Sequence, residues 1–122
     1  MTHILIVEDE TRLAAFVEKG LRKNGYITVI AENGKEAIEI ALNKQFDLIV
    51  LDLGLPIKDG FMVLQELRSK GKKLPVIVVT ARSDEQDKLK AIACGANDYI
   101  TKPFRFQDLL TSVKENLVLI KS

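Results

Sequence analysis

Three runs of four apolar residues recur along the chain, and each stops at a polar group. Ile4-Leu5-Ile6-Val7 runs into Glu8-Asp9-Glu10, Leu48-Ile49-Val50-Leu51 into Asp52, and Val76-Ile77-Val78-Val79 into Thr80. Runs so short and so uniformly apolar suit strands buried on both faces, as in a parallel sheet covered by helices. Tyr26 to Ala31, rich in β-branched residues, reads as a further strand, and Asp98 to Thr101 as a short last one.

Helical spacing fills the intervals. Leu13, Phe16, Val17 and Leu21 mark a first helix, with Thr11 as its candidate cap and Asn24-Gly25 as its end. Asn33-Gly34 reads as a turn before a short helix carrying Ala37, Ile38, Ala41 and Leu42. Gly54 to Gly60 is a loop closed by Asp59-Gly60, ahead of a helix with Phe61, Leu64 and Leu67. Ser83 or Asp84 caps a fourth helix carrying Leu89, Ile92 and Ala93, which Gly95 stops. Phe106, Leu109, Leu110, Val113 and Leu117 mark the last helix, with Val118 to Ser122 as its frayed end. The pattern is an α/β (βα)5 chain with right-handed crossovers, so the sheet is mainly parallel and doubly wound.

At 122 residues the chain is read as one domain, 1–122. A formal net charge of +1 gives no global field toward nucleic acid or an anionic membrane, and no apolar run reaches transmembrane length. Met1-Thr2-His3 followed by the first apolar run lacks the basic region and cleavage site of a secretory signal. The lone Cys94 excludes a disulfide framework and a cysteine metal site, and is weakly in favour of a reducing compartment.

Polar groups stand at the C-terminal ends of four strands: Glu8-Asp9, Asp52, Thr80 and, just after the fifth, Lys102. For Asp52 alone, a turn-initiating role before Gly54 and Pro56 is a sufficient explanation. In a parallel sheet, however, all four ends meet along one edge, where ligands collect in open α/β folds. Clustered carboxylates raise one another's pKa values unless a cation offsets them. Mg²⁺ suits such a set, because it takes hard oxygens and keeps positions open for water and phosphate. Lys102 adds a point charge for phosphate or carboxylate and Thr80 a small hydroxyl. Asp52 is then either a metal ligand only or a nucleophile that accepts phosphate. The only histidine, His3, lies at the wrong end of its strand for a hydrolytic triad, and no Gly-rich nucleotide fingerprint is present.

With these residues in hand, the chain resembles the receiver domains of bacterial two-component response regulators over essentially its whole length. The matching stretches are Ile6-Val7-Glu8-Asp9-Glu10, Leu51-Asp52-Leu53 with Leu55-Pro56 and Asp59-Gly60, Val79-Thr80-Ala81-Arg82, and Gly95 through Phe104. The resemblance implies a flavodoxin-like three-layer sandwich with strand order 2-1-3-4-5. It implies that Asp52 takes a phosphoryl group from a sensor histidine kinase or phosphotransfer protein in a Mg²⁺-dependent reaction. Metal binding would fall to Glu8, Asp9, Asp52 and the Gly54 carbonyl, with Glu8, longer than the Asp of chemotaxis members, acting through water. Thr80 and Lys102 would contact the phosphoryl oxygens, and the Lys102-Pro103 bond would be cis. Thr80 and Tyr99 would form the switch that alters the face made by the fourth helix, fifth strand and fifth helix. Such a domain is no conventional enzyme, although it catalyses its own phosphorylation and autodephosphorylation. Glycine at 54 and Arg82 would bear on the lifetime of the phosphoryl group.

Similarity is greater to the winged-helix transcription-factor (OmpR/PhoB-like) branch, which pairs through that same face. Lys90 and Asp108 match one acid-base pair, Asp98 an acid on the fifth strand, and Lys114 a nearby basic position, but Ser112 stands where the usual Arg would be. A homodimer is therefore only partly supplied. The resemblance also implies a cytoplasmic domain that makes no direct contact with nucleic acid or membrane. A pseudo-receiver that binds partners without phosphorylation is the alternative. It predicts a broken acidic set or a missing lysine, whereas Glu8, Asp9, Asp52, Thr80 and Lys102 are all present. A phosphatase-like hydrolase lacks a second acid-base, and a flavin-binding protein would need a phosphate-gripping loop where Glu8-Asp9-Glu10 stands.

Overall fold

Leu48–Leu51 forms β3, the middle strand of a five-stranded parallel sheet in this computed structural model, which describes the backbone of residues 1–121 and side chains through Val118. The other strands are β1 (His3–Val7), β2 (Ile27–Ala31), β4 (Val76–Thr80) and β5 (Asp98–Thr101), in the order β2-β1-β3-β4-β5. Register sets Val7 beside both Ala31 and Leu51, Leu51 beside Val78, and Thr80 beside Thr101. Five helices cover the sheet: α1 (Thr11–Lys23), α2 (Gly34–Asn43), α3 (Gly60–Ser69), α4 (Glu85–Ala93) and α5 (Phe106–Lys121). This is the doubly wound three-layer architecture expected from the sequence.

The alternation of strand side chains builds two cores. Leu5, Val7, Ile49, Leu51, Val76 and Val78 face the side that buries Ala37, Ile38, Phe61, Leu64 and Leu67. Ile4, Ile6, Leu48, Val50, Ile77 and Val79 face α1 and α5 through Val17, Leu21, Leu109, Val113 and Leu117. After β2 the chain crosses back over β1 to reach β3, so the crevice of the topological switch opens at the C-terminal ends of β1 and β3.

Several local expectations are corrected. Asn33-Gly34 is not a free turn: Asn33 caps α2 by accepting from the Glu36 amide at 2.8 Å, and Gly34 is the first helical residue. Asp59 caps α3 likewise, accepting from the Met62 amide at 3.0 Å, and Gly60 opens that helix. Glu10, not Thr11, occupies the N-cap of α1, with no side-chain hydrogen bond. Tyr26 precedes β2, its amide bonded to the Leu21 carbonyl at 3.2 Å. Phe16 is 51% exposed and meets Phe106 edge-on, because α1 turns that position to the α5 side of its stripe. In α4, Leu89 and Ile92 are 60% and 44% exposed and Ala91 is the buried residue. The end expected to fray from Val118 is helical as far as Lys121, and Ser122 lies outside the described residues.

The loop after β3 carries one strained residue. Ile57 sits at φ 69°, a left-handed conformation that disfavours β-branched side chains, and its own side chain is 76% exposed. Relief of that strain outweighs the chain entropy that glycine adds, so Ile57→Gly is expected to raise unfolding stability by about 1 kcal/mol in urea melts.

Candidate functional site

The strand ends deliver their polar groups to one cleft. Glu8 follows β1 and is held by its amide on the Ala31 carbonyl at 3.0 Å; Asp52 follows β3 with its amide on the Val7 carbonyl at 3.1 Å. These two ladder bonds continue the sheet by one residue and set both carboxylates side by side, buried. The Lys102 amide donates to the Thr80 carbonyl at 2.8 Å, which carries the chain from β5 back over the same edge. The Lys102-Pro103 bond is cis.

The Lys102 ammonium bridges the acids, with Nζ 2.7 Å from Glu8 Oε1 and 3.0 Å from Asp52 Oδ2. Backbone amides take the remaining oxygens: Glu10 N donates to Glu8 Oε2 at 3.1 Å and Gly54 N to Asp52 Oδ1 at 3.2 Å. Burial raises the Glu8 carboxyl pKa; the hydrogen bonds from Lys102 and the Glu10 amide pull it back only in part, and the Asp52 charge pushes it up. For Lys102, burial alone would lower the ammonium, but bonds and charges from Glu8 and Asp52 outweigh it and leave the pKa raised.

Asp9 is exposed at the rim and joins the set: carboxylate oxygens of Glu8, Asp9 and Asp52 lie within 4.8 Å of one another. Three hard oxygen donors without imidazole or thiolate fit Mg²⁺ better than a softer metal. With Lys102 the four groups carry a formal charge of −2, which a divalent cation offsets. Gly54 lies exposed on the loop above them, and a methyl added there would meet nothing within 4 Å.

Thr80 is fully buried at the end of β4, its Oγ1 accepting from the Arg82 amide at 3.4 Å. Tyr99 is half-buried on β5, and its hydroxyl donates to the Arg82 carbonyl at 2.7 Å. Burial, followed by the charge of Asp87, raises the Tyr99 phenol pKa. Thr80 and Tyr99 thus hold the same residue of the β4–α4 loop, one by its amide and the other by its carbonyl.

The four residues of the expected pairing face are less uniform. Lys90 Nζ lies 4.1 Å from the centre of the Phe61 ring, so its charge rests on a side chain of α3. Asp98 accepts a hydrogen bond from the Ser112 hydroxyl inside the chain. Asp108 and Lys114 stay exposed. The internal Ser112–Asp98 bond was legible only as a serine in the apolar stripe of α5, joined by Asn116 one turn on, whose amide donates to the Ser112 carbonyl at 2.8 Å. Nothing local announced the Phe61 contact with Lys90 and Arg82, whose charges stand 4.1 and 5.8 Å from the ring centre.

The chain is an α/β protein with a doubly wound sheet and an acidic, lysine-bridged cleft at its switch point, and comparison with known proteins narrows that class. Residues 4–114 match the response regulator receiver domain, and the chain belongs to that family. It is 40% identical over 114 residues to the transcriptional regulatory protein PcoR of Escherichia coli, a match covering 93% of this chain and 50% of PcoR. The chain thus spans about half the length of the curated relatives it matches, which are transcriptional regulators of the OmpR/PhoB type. A two-component response regulator from Clostridium difficile superposes with a TM-score of 0.95 at 28% identity, covering 100% of both chains. The response regulator TrrA of Thermotoga maritima, solved in complex with Mg²⁺-BeF, gives 0.86 at 34% identity over 95% of this chain and 99% of that one. Among the described residues no helix is long and apolar enough to cross a membrane.

Proposed function

We propose that the chain is a phosphoacceptor domain, in which Asp52 takes a phosphoryl group from a histidine kinase or phosphotransfer protein. The observation that carries this reading is the Lys102 bridge between Asp52 and Glu8, beside the Asp9 carboxylate, at the switch-point edge. An Asp52 carboxylate oxygen attacks phosphorus, the bond from phosphorus to the donor imidazole nitrogen breaks, and that nitrogen keeps the electron pair. Lys102 has spent two of its three ammonium donors on Glu8 and Asp52, and the third serves a phosphoryl oxygen. When bound by Glu8, Asp9, Asp52 and the Gly54 carbonyl, Mg²⁺ supplies positive charge that offsets the oxygens of the transferring group. The Mg²⁺-BeF complex of TrrA supports that assignment.

The new phosphoryl group brings further negative charge and three strong acceptors. The Thr80 hydroxyl reaches one of them by moving inward, giving up the Arg82 amide. Tyr99 then leaves the Arg82 carbonyl and turns into the space, changing the surface of α4, β5 and α5. The domain works in the cytoplasm, without direct contact with nucleic acid or membrane. A homodimer through the same face draws on Asp108 and Lys114, because Lys90 and Asp98 already have partners within the chain.

Intact mass after incubation with Mg²⁺ and acetyl phosphate tests the reading. One added phosphoryl group is expected, absent in Asp52→Ala and absent without Mg²⁺; no adduct on the unaltered chain would favour a binding module. Gly54 adds a second expectation. A side chain there enters open space, so Gly54→Met shields the acyl phosphate from water and slows dephosphorylation severalfold in a time course of that mass. An unchanged rate would remove Gly54 from the account.

A further inference from the structure

Helix α4 is gripped unequally at its two ends. It buries only Ala91, and residues 81–86 leading into it are exposed. Beyond its last turn the grip is tight. The Ala96 amide closes the helix on the Ala91 carbonyl at 3.0 Å, and Asn97 exchanges bonds with Val76 of β4 at 2.8 and 2.9 Å. Into this corner reaches Arg68, from the last turn of α3. Its Nε and Nη2 donate to the Gly95 carbonyl at 3.3 and 2.7 Å, and Nη2 also donates to Asn97 Oδ1 at 3.1 Å. Nη1 donates to the carbonyls of Lys72 at 2.9 Å and Leu74 at 2.7 Å.

All five guanidinium donors are therefore spent, every one on a carbonyl or amide oxygen. No carboxylate pairs with Arg68 among the described residues. The carbonyl-rich C-terminal ends of α3 and α4 supply the compensating negative potential. Gly95 is what lets the guanidinium in: it adopts φ 107°, and a methyl there would lie 2.8 Å from Arg68 Nε. Lysine, with three donors on a single nitrogen, cannot span these four acceptors.

We propose that Arg68 is the fixed pivot of α4. It is a positioning residue that pins the C-terminal end, so that displacement of the β4–α4 loop swings the N-terminal end as a lever. The direction of the swing follows from the unequal grip. The loop at Arg82 is tied by the Tyr99 hydroxyl, the Thr80 Oγ1 and a guanidinium resting on Phe61, each of which can be exchanged without breaking the fold. This inference rests on the phosphoacceptor reading for what displaces the loop, but the pivot stands on Arg68 alone.

Hydrogen exchange separates the two. In the unaltered chain, adding Mg²⁺ and beryllofluoride is expected to change exchange over residues 81–88 at least fivefold and over 94–97 less than twofold. In Arg68→Met, residues 94–97 exchange at least tenfold faster without any ligand, and the ligand response spreads over 81–97. Arg68→Lys falls between them, and both variants take a phosphoryl group from acetyl phosphate at a rate within twofold of the unaltered chain. Equal ligand responses at the two ends of α4 in the unaltered chain, or full protection of 94–97 in both variants, would overturn the pivot. Absence of any beryllofluoride response alongside no acetyl phosphate adduct would instead overturn the phosphoacceptor reading, and the comparison of unliganded chains would still decide whether Arg68 pins the corner.

Discussion

Lys102→Met is expected to lower unfolding stability by about 3–5 kcal/mol at pH 7 in metal-free buffer, because it strips the counter-charge from two buried carboxylates. The Lys102 side chain is 16% exposed and touches both acids, so solvent screening does not blunt the loss. The deficit carries a pH signature. Burial already raises the Glu8 pKa, and losing the Lys102 bond raises it further. A carboxyl whose folded pKa lies above its unfolded value binds protons more tightly in the folded state. The penalty is therefore complete only above the raised folded value and shrinks as pH falls through it toward 4.5. Saturating Mg²⁺ is expected to restore part of it, about 2.7 kcal/mol at a hundredfold excess over Kd. Urea melts across pH, with and without Mg²⁺, check both signs; a variant as stable as the parent at pH 7 would show that the bridge does not hold the cleft.

Gly60→Ala comes next in size, and its cause is backbone rather than charge. A methyl at Gly60 would lie 2.3 Å from the Asp52 carbonyl oxygen and 2.7 Å from Leu53 Cα. Alanine would gain up to about 1 kcal/mol of helix propensity in α3. The clash outweighs this, since neither neighbour is a side chain that can rotate away, and a net loss of about 3 kcal/mol is expected. Displacement of the Asp52 backbone should also weaken Mg²⁺ binding, read by calorimetry. Gly54→Ala, in the loop that leads to α3 and with nothing within 4 Å, is the control and should shift stability by less than about 0.5 kcal/mol.

What could be read before folding follows from where the information lies along the chain. Strands β1, β3 and β4 were legible because both of their faces are covered, so apolar residues follow one another without alternation. The gathering of Glu8, Asp52 and Lys102, and the place of Thr80 at the end of the neighbouring strand, were legible for a topological reason, since parallel strands send their C-terminal ends to one edge. Helix α4 lies where its cap and stop residues put it, but its apolar stripe did not show which side is covered, and Leu89 and Ile92 stay exposed. Asn33-Gly34 carries the same signal for a turn as for a helix cap, and what requires glycine is the Lys58 carbonyl, whose oxygen would lie 1.8 Å from an added methyl. The corner built on Arg68 left no local trace, because its acceptors at Lys72, Leu74, Gly95 and Asn97 come from two separate turns.

Borohydride trapping tests the assignment of Asp52 most directly. Borohydride reduces an acyl phosphate to the alcohol, so an aspartyl phosphate becomes homoserine, which peptide mass spectrometry locates. After incubation with Mg²⁺ and acetyl phosphate, the expected result is homoserine at position 52 and nowhere else, and none when Mg²⁺ is withheld. Homoserine at Asp9 or another aspartate, the corresponding five-carbon alcohol at a glutamate, or an unreduced Asp52 in a sample that has gained the phosphoryl mass, would contradict it.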